Sequence, residues 1–245
     1  MWNAEQLSDG PVPRWFQIAD RLRAAVGRGE FLPDDRLPSE AEIGVSRTTA
    51  RAALDRLEHD GLIVRRAGEG SIVLPPRVEQ PLRSFAGFAD EMRARGLRPS
   101  YQTLAIRSRS ATAEVAGALG IEKGARAVVI DRLLSADDFP MALGRSWLSP
   151  RVLANRPSPT AAELNAGSLY AWIERVGGVR IVGGEEYLDA ANTSEEVARR
   201  LRTPVGAATL VARRIARIAD GRAVEFVILH YRADRYRFGV EWKRP

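Results

Sequence analysis

The sequence predicts an α+β protein of two domains, with helices and a β-hairpin first and an antiparallel sheet with helices second. Three observations lead to this. Apolar residues recur at helical spacing before residue 60, prolines cluster near residue 75, and helical segments then alternate with short strands. The 245 residues suffice for two ordinary domains, and 45% of them are apolar, which is enough to form cores.

The first domain is predicted to contain three helices. The first spans an apolar stripe and ends near residues 27–29, which read Gly-Arg-Gly. Ser39 and Glu42 have the spacing of a capping box that opens a second helix, and Gly44 ends it. Ser46 caps a third helix, which Gly61 closes. The two predicted buried stripes are Trp15, Ile18, Ala19, Leu22, Ala25 and Val26 in the first helix, and Ala50, Ala53, Leu54 and Leu57 in the third.

A β-hairpin completes this domain. Residues 62–66 and 71–74 are rich in β-branched side chains and flank a Gly-Glu-Gly turn. Three helices followed by a hairpin make a winged helix-turn-helix, the predicted architecture of residues 1–74.

Residues 75–81 are predicted to be a linker. Prolines at 75, 76 and 81 stop a helix and disfavour a central strand. The second domain is therefore assigned to residues 82–245.

An internal repeat organises the second domain. A helix is expected at 84–95 and a strand at 101–109, after which two helix–strand–turn–strand units follow at a constant offset of 82 residues. Tight turns favour antiparallel pairing. The matched residues are Glu114, Val115, Ala116, Leu119, Gly124, Arg132 and Asp138, with Glu196, Val197, Ala198, Leu201, Gly206, Arg214 and Asp220.

Composition excludes several classes of site. With no cysteine, the chain cannot form disulfides, iron–sulfur clusters or a cysteine nucleophile, and two histidines cannot make a histidine-rich metal site. We therefore predict no catalytic residues, no metal and no cofactor. No apolar run reaches the roughly 18 residues of a membrane span and no signal peptide opens the chain, so we expect a cytoplasmic protein.

The charge is distributed unevenly. Residues 1–75 carry 10 arginines against 12 acidic residues, a net of −2, whereas the remaining residues carry a net of +8. The total of +6 is therefore no general DNA footprint. Any affinity of the first domain for DNA must come from a local set of arginines.

The third predicted helix carries the clearest functional signal. Its apolar stripe begins only at Ala50, so its first turns present hydroxyls and arginines outward. A helix N-terminus with hydroxyls suits phosphates, and arginine suits phosphate or guanine. Arg65 and Arg66 form a candidate wing. The candidate DNA-binding residues are Ser39, Glu40, Ser46, Arg47, Thr48, Thr49, Arg51, Arg65, Arg66, Gly68 and Gly70.

These motifs make residues 11–73 resemble the DNA-binding domain of the GntR family of bacterial transcription regulators. The resemblance implies a DNA-binding regulator, expected to be a repressor that acts as a homodimer on a palindromic operator. The segments that carry it are 16–19 (FQIA), 37–40 (LPSE), 45–51 (VSRTTAR), 53–57 (ALDRL) and 60–63 (DGLI).

Residues 81–238 resemble the UTRA effector domain of the HutC subfamily, whose fold is similar to that of chorismate lyase. The carrying segments are 84–85, Gly96, 116–120 (AGALG), Gly124, 130–132 (IDR), 167–170 (GSLY) and 231–236 (YRADRY). The resemblance implies a small anionic effector, such as a phosphate, phosphonate or sugar phosphate. The implied effector-binding residues are Ser84, Phe85, Ala86, Arg132, Ser168, Tyr170, Glu225 and Tyr231.

The chain departs from the family pattern at several positions. About four residues are missing before Gly44, so the second helix is one turn short, and Ala41 replaces an arginine expected to contact phosphate. In the second domain Leu134 replaces a second arginine and Gly144 replaces a glutamate, which makes a hexosamine phosphate a poorer match.

Two alternatives stay open at this point. One is a small-molecule-binding protein whose DNA-binding domain is degenerate, favoured by the short helix and the charge of −2. The other is a lyase-like enzyme, which rests on fold similarity alone. His230 lies in an apolar run and is interpreted as a structural residue.

Overall fold

The computed structural model describes residues 7, 10–75, 77–81, 87–151 and 156–240. The predicted effector residues Ser84, Phe85 and Ala86 lie outside this set. The chain divides into two compact units, residues 1–77 and 78–245. Each unit is built around its own core.

Two of the three predicted helices of the first unit are confirmed. Helix α1 (Arg14–Gly27) buries Ile18, Ala19, Leu22 and Ala25. Helix α2 (Arg47–His59) begins after Ser46, whose hydroxyl oxygen accepts a hydrogen bond from the Thr49 amide at 3.3 Å. The predicted stripe of Ala50, Ala53, Leu54 and Leu57 is its buried face.

The prediction of a second helix is wrong, although its capping box forms. The Ser39 amide donates to Glu42 Oε2 at 2.8 Å, and the Glu42 amide donates to Ser39 Oγ at 3.3 Å. A single turn follows, closed by the Ile43 amide on the Ser39 carbonyl, and the backbone reverses at Gly44 with φ +76°. Four residues between the cap and this glycine are too few to extend a helix beyond its costly first turn.

Ile43 fills the space under this turn. It is 0% exposed and belongs to the core cluster that also contains Leu22, Leu37 and Leu54. The packing thus adapts to the short segment by burying one β-branched side chain.

The predicted hairpin is confirmed as β1 (Ile63–Arg66) paired antiparallel with β2 (Gly70–Val73). Gly68 and Gly70 have φ of +80° and +90°, which explains glycine at both ends of the turn. A bridge between Arg36 and Ile72 attaches the preceding loop to the hairpin.

Part of the predicted linker is a strand. Residues 78–81 form β3 (Val78–Pro81), which pairs in parallel with β10 (Tyr236–Gly239). Proline is tolerated because Pro81 ends an edge strand in a two-stranded pair. The predicted sheet is therefore accompanied by a small parallel pair that the sequence did not indicate.

The predicted antiparallel sheet has six strands in the order β4-β5-β6-β9-β8-β7. The predicted helix at 84–95 is observed, within the described residues, as α3 (Phe88–Ala94), and the strand at 101–109 is longer than predicted. The strands are β4 (Pro99–Ser110), β5 (Arg126–Ala136), β6 (Phe139–Leu148), β7 (Ile181–Asn192), β8 (Ala208–Ile218) and β9 (Ala223–Arg232).

The internal repeat extends further than predicted. Helices α4 (Ala113–Leu119) and α7 (Glu195–Leu201) are offset by 82 residues, and so are the bounds of β5 and β8 and those of β4 and β7. Each unit is therefore strand–helix–strand–strand. The sheet order mirrors the two units about the central pair of β6 and β9.

The two repeats pack across each other. Helix α4 lies on β9, and α7 lies on β6. Val115 and Leu119 of α4 share a core cluster with Phe226 of β9. A second cluster joins α5 (Ala161–Asn165) and α6 (Leu169–Gly177) to the sheet. Within the described residues, none of these helices has the length and apolarity needed to cross a bilayer.

We expect the substitution Ile43→Ala to destabilise the first unit by about 2–5 kcal/mol, because it leaves a cavity in a closed core. Hydrogen exchange of peptides from α1 and α2, read by mass spectrometry in the full chain, measures the stability of this unit separately from that of the second unit. Leu32→Ala is the control, since Leu32 is 60% exposed. Equal protection in the two variants would contradict the role given to Ile43.

Candidate functional site

The first candidate site is the N-terminal end of α2. Ser46, Arg47, Thr48 and Arg51 are exposed there, and Thr49 is half-buried. The Ser46 cap fixes where the helix begins, and the buried stripe that starts at Ala50 turns these side chains away from the core. The structure thus brings the predicted helix residues together on one exposed surface.

Glu40 forms ion pairs with two of the predicted DNA-binding arginines. Arg51 Nε lies 3.0 Å from Glu40 Oε1, and Arg65 Nη2 lies 3.3 Å from the same oxygen. Arg65 also pairs with Asp55. The Arg51 guanidinium beside Glu40 holds the pKa of that carboxyl below its usual value. Glu40 therefore sets the position of both guanidinium groups.

The remaining arginines of this surface differ in their surroundings. Arg66, on the exposed side of the hairpin, lies 3.1 Å from Glu69 Oε2 at the tip. Among the predicted arginines, Arg47 is the one without an ion pair to any residue that the structure describes. Arg47 is thus the arginine most available for a new contact.

The second candidate site is a cavity in the second unit. It lies on the sheet face that also meets α3 and the first turn of α6, and its volume is about 60 Å³. Five of the predicted effector residues line it, namely Arg132, Ser168, Tyr170, Glu225 and Tyr231. The structure therefore joins residues from β5, α6 and β9 that are far apart in sequence.

Arg132 is the cationic centre of the cavity wall. Its guanidinium lies over the Tyr101 ring, 5.1 Å from the centroid. Its Nη1 atom is buried and has no hydrogen-bond partner among the described residues. Burial lowers the pKa of Arg132, and the neighbouring Glu225 opposes that effect.

Glu225 is a buried carboxyl group on the same wall. It is 2% exposed, and the hydroxyl groups of Ser146 and Tyr170 are its hydrogen-bonding neighbours. Its Oε2 atom meets no partner in the part of the chain that the structure describes. Burial raises the pKa of Glu225, although Arg132 and Arg214 favour the ionised form.

Sequence reasoning missed Arg214 as a site residue. It lines the cavity from β8, and its Nη2 lies 2.8 Å from Glu186 Oε1. The signal was present in the sequence, because Arg214 is the equivalent of Arg132 in the internal repeat. The mirrored order of the sheet brings both residues to one cavity.

Glu91 was also missed. It is 5% exposed and its Oε2 lies 3.4 Å from the Tyr236 hydroxyl, while Oε1 is buried without a described partner. Burial raises the pKa of Glu91 to about 7. No local signal marks this residue, because α3 reaches the cavity only through tertiary packing.

The two departures from the family pattern in the second domain, Leu134 and Gly144, both line the cavity. A Cβ atom at Gly144 would lie 2.9 Å from Leu229 Cδ2, so Leu229 fills the space of a larger side chain. Leu134 is buried beside it. This part of the wall is apolar.

His230 lies elsewhere, at a second cavity that Arg107, Asp131 and Arg145 also line. Asp131 pairs with both arginines there. Burial lowers the pKa of His230, as does the nearby Arg213. Within the described ranges, no cluster of three histidine or acidic residues could hold a metal ion.

Two known protein families match the chain, one within each of the two compact units. Residues 16–73 match the model of bacterial regulatory proteins of the gntR family, and residues 94–237 match the UTRA domain. The chain is 33% identical over 236 residues to the HTH-type transcriptional repressor NagR of Bacillus subtilis, covering 93% of this chain and 94% of NagR.

Two further proteins are similar over most of the chain. The histidine utilization repressor of Pseudomonas putida is 27% identical, with 85% of this chain and 84% of that protein covered. The crystal structure of PhnF from Mycobacterium smegmatis superposes with a TM-score of 0.64 at 25% identity, covering 93% of this chain and 100% of PhnF. These families and relatives are transcriptional regulators rather than enzymes.

We expect the buried Glu91 to make stability fall as pH rises. Its pKa in the folded protein is about 7, above its ordinary value of 4.5. Between these two pH values the carboxyl group is protonated in the folded state and ionised in the unfolded state. The free energy of unfolding should decrease across this window by up to about 3 kcal/mol.

Urea titrations from pH 5 to pH 8 measure this effect. Glu91→Gln should flatten the profile, whereas Glu122→Gln, an exposed control, should keep the wild-type slope. Some slope remains in Glu91→Gln because Glu225 has a raised pKa as well. Parallel profiles for Glu91→Gln and the wild type would contradict the assignment.

Proposed function

Since this chain belongs to the GntR family of bacterial transcription regulators, in the HutC group that carries a UTRA domain, we propose that it is a repressor released or engaged by a small anionic effector. The first unit binds operator DNA in this proposal, and the cavity of the second unit binds the effector. A phosphate, a phosphonate or a sugar phosphate is the class of ligand that we favour.

The single observation that carries the effector proposal is the unpartnered Nη1 of Arg132. A buried guanidinium with an unused donor is costly unless an acceptor meets it. An oxyanion supplies that acceptor and forms charge-assisted hydrogen bonds with the guanidinium fork. The net charge of +8 on the residues after 75 favours the same sign of ligand.

The exposed N-terminal end of α2 supports the DNA proposal. Backbone amides and hydroxyls at a helix N-terminus suit phosphates, and an exposed Arg47 suits a phosphate or a guanine. Because residues 1–75 have a net charge of −2, we propose that a homodimer doubles the local arginine set on a palindromic operator.

Effector control then requires a coupling free energy between the two sites. Values of about 1–3 kcal/mol are typical of such coupling. We propose that the proline-rich segment 75–81, which contains β3, transmits this coupling, since β3 contributes Gln80 to the cavity lining.

Two observations favour a second candidate function. The turn before α2 is a single turn in place of a helix, and Glu40 already engages Arg51 and Arg65. A ligand-binding protein with a weakened DNA-binding unit would show these features. Operator binding by the full chain separates the two candidates.

We expect Arg47→Ala to weaken specific operator binding by about 1–3 kcal/mol if Arg47 contacts a base. Fluorescence anisotropy of an operator duplex and of a scrambled duplex, each at several salt concentrations, measures the loss. Arg56→Ala is the matched control, because Arg56 lies at the other end of α2 and pairs with Asp60.

The pattern of loss assigns the contact. Loss on the operator alone indicates base recognition, and equal loss on both duplexes with a smaller salt slope indicates a phosphate contact. Unchanged binding by Arg47→Ala would contradict the proposed surface. Absence of specific binding by the wild-type chain would favour the second candidate function.

We expect Arg132→Gln to abolish stabilisation of the protein by anionic ligands. A ligand at about 100 times its Kd stabilises the folded state by about 2.7 kcal/mol, which thermal unfolding detects. The probes are inorganic phosphate, methylphosphonate and glucose 6-phosphate. Arg126→Gln, at the exposed start of the same strand, should respond as the wild type does. An equal response in Arg132→Gln would contradict the proposed anion site.

A further inference from the structure

We propose that the second cavity, which His230 lines, binds an amphipathic organic anion, with a carboxylate-like oxyanion group on an aromatic or aliphatic body. This site is separate from the cavity at Arg132 and does not depend on the proposed function. Asp131 and Arg132 are neighbours on β5, and successive side chains of a strand point to opposite faces of the sheet. Asp131 lines the second cavity and Arg132 the first, so the two cavities lie on opposite faces.

The second cavity has the size and the lining of a small-molecule site. Its volume is about 310 Å³, against about 60 Å³ for the first cavity. Ligand pockets typically have volumes from about 300 Å³ upward and combine an apolar lining with a few polar groups. The second cavity has both kinds of lining, and its apolar members are Leu104, Ala105, Leu143, Trp147, Val197 and Ile228.

The internal repeat explains why this cavity is open. On the other half of the sheet, Arg213 of β8 ties helix α4 to the strands, since its Nε lies 3.3 Å from Glu114 Oε1. The equivalent residues at the 82-residue offset are Glu196 of α7 and Asp131 of β5. Two carboxylates cannot make that ion pair, and Glu196 has none with any residue that the structure describes. Helix α7 therefore lacks the tie that α4 has, and the cavity lies beside it.

The charges of the lining favour an anionic ligand. Three arginines and two acidic residues line the cavity, namely Arg107, Arg145, Arg200, Asp131 and Glu196. Asp131 already pairs with two of the arginines, and its Oδ1 lies 2.6 Å from Arg145 Nε. Arg200 has no ion pair within the described ranges, so it is the cation available to a ligand.

His230 supplies a second unused polar group. Its Nδ1 atom is buried and has no hydrogen-bond partner among the described residues. Burial lowers the pKa of this imidazole, and so do Arg213 and Arg145, which shows that its surroundings are positive. A buried polar atom without a partner costs free energy. An anionic oxygen removes that cost when Nδ1 carries the proton.

The apolar part of the lining requires more than a simple anion. Trp147 and Ile228 offer an indole ring and a branched aliphatic chain to the cavity. An inorganic anion would leave this surface in contact with water, whereas an apolar body would cover it and gain free energy from its burial. The charged group then fixes the orientation of the ligand at Arg200 and His230.

Fluorescence titration of the full chain with a matched pair of probes tests the proposal. 1-Anilinonaphthalene-8-sulfonate carries the anionic group, and N-phenyl-1-naphthylamine is the same aromatic body without it. We expect one sulfonate probe to bind per chain, at least about tenfold more tightly than the neutral probe. Arg132→Gln should bind both probes as the wild type does, because Arg132 lies on the other face of the sheet.

Variants locate the site. Arg200→Gln should lose most of the preference for the sulfonate, because it removes the cation without an ion pair. Arg199→Gln is the matched control, since Arg199 is the exposed neighbour on α7 and does not line the cavity. Ala105→Trp should weaken the binding of both probes, because the larger side chain fills the cavity from β4.

Three titration results would overturn the proposal. These are equal binding of the two probes, the same sulfonate preference in Arg200→Gln and Arg199→Gln, and binding that Ala105→Trp leaves unchanged. Light scattering on the same preparations tests a different occupant. A molar mass that changes in Arg200→Gln or Ala105→Trp would mean that a second copy of the chain covers this face, and the ligand proposal would then be wrong.

Discussion

One buried guanidinium group is the central constraint on the cavity of the second unit. Arg132 lies on β5, the second strand of the six-stranded sheet, over the Tyr101 ring and close to Glu225, with Nη1 unpartnered among the described residues. A buried charge is tolerated where partners compensate for its lost hydration. The surrounding polar groups do so only in part, and we propose that an anionic ligand supplies the missing acceptor.

The internal repeat explains how such a cavity arises at the centre of a sheet. Two strand–helix–strand–strand units meet at β6 and β9, so equivalent positions on β5 and β8 lie on opposite sides of the same face. Arg132 and Arg214 are such a pair. Both line the cavity, but Arg214 is paired with Glu186, whereas Arg132 Nη1 has no hydrogen-bond partner among the described residues. The repeat thus places two cations at one cavity, and Arg132 is the one with an unused donor.

Local signals in the sequence predicted most of the elements correctly, and non-local packing accounts for the errors. The caps at Ser39 and Ser46 and the glycine turn of the hairpin depend on neighbours within a few residues, and all three form. The predicted second helix does not form because only four residues separate its cap from Gly44, although the cap itself is present. Strand β3 forms by pairing with β10, and Glu91 reaches the cavity through the packing of α3. No local sequence pattern encodes either contact. Arg214 could have been found from the 82-residue offset.

A crystal structure of the full chain grown with inorganic phosphate tests the anion site at Arg132 most directly. We expect an oxyanion whose nearest oxygen lies about 2.8 Å from Arg132 Nη1, the distance of a charge-assisted hydrogen bond. A structure in which Nη1 contacts only water while phosphate binds elsewhere on the second unit would contradict an anion site at Arg132.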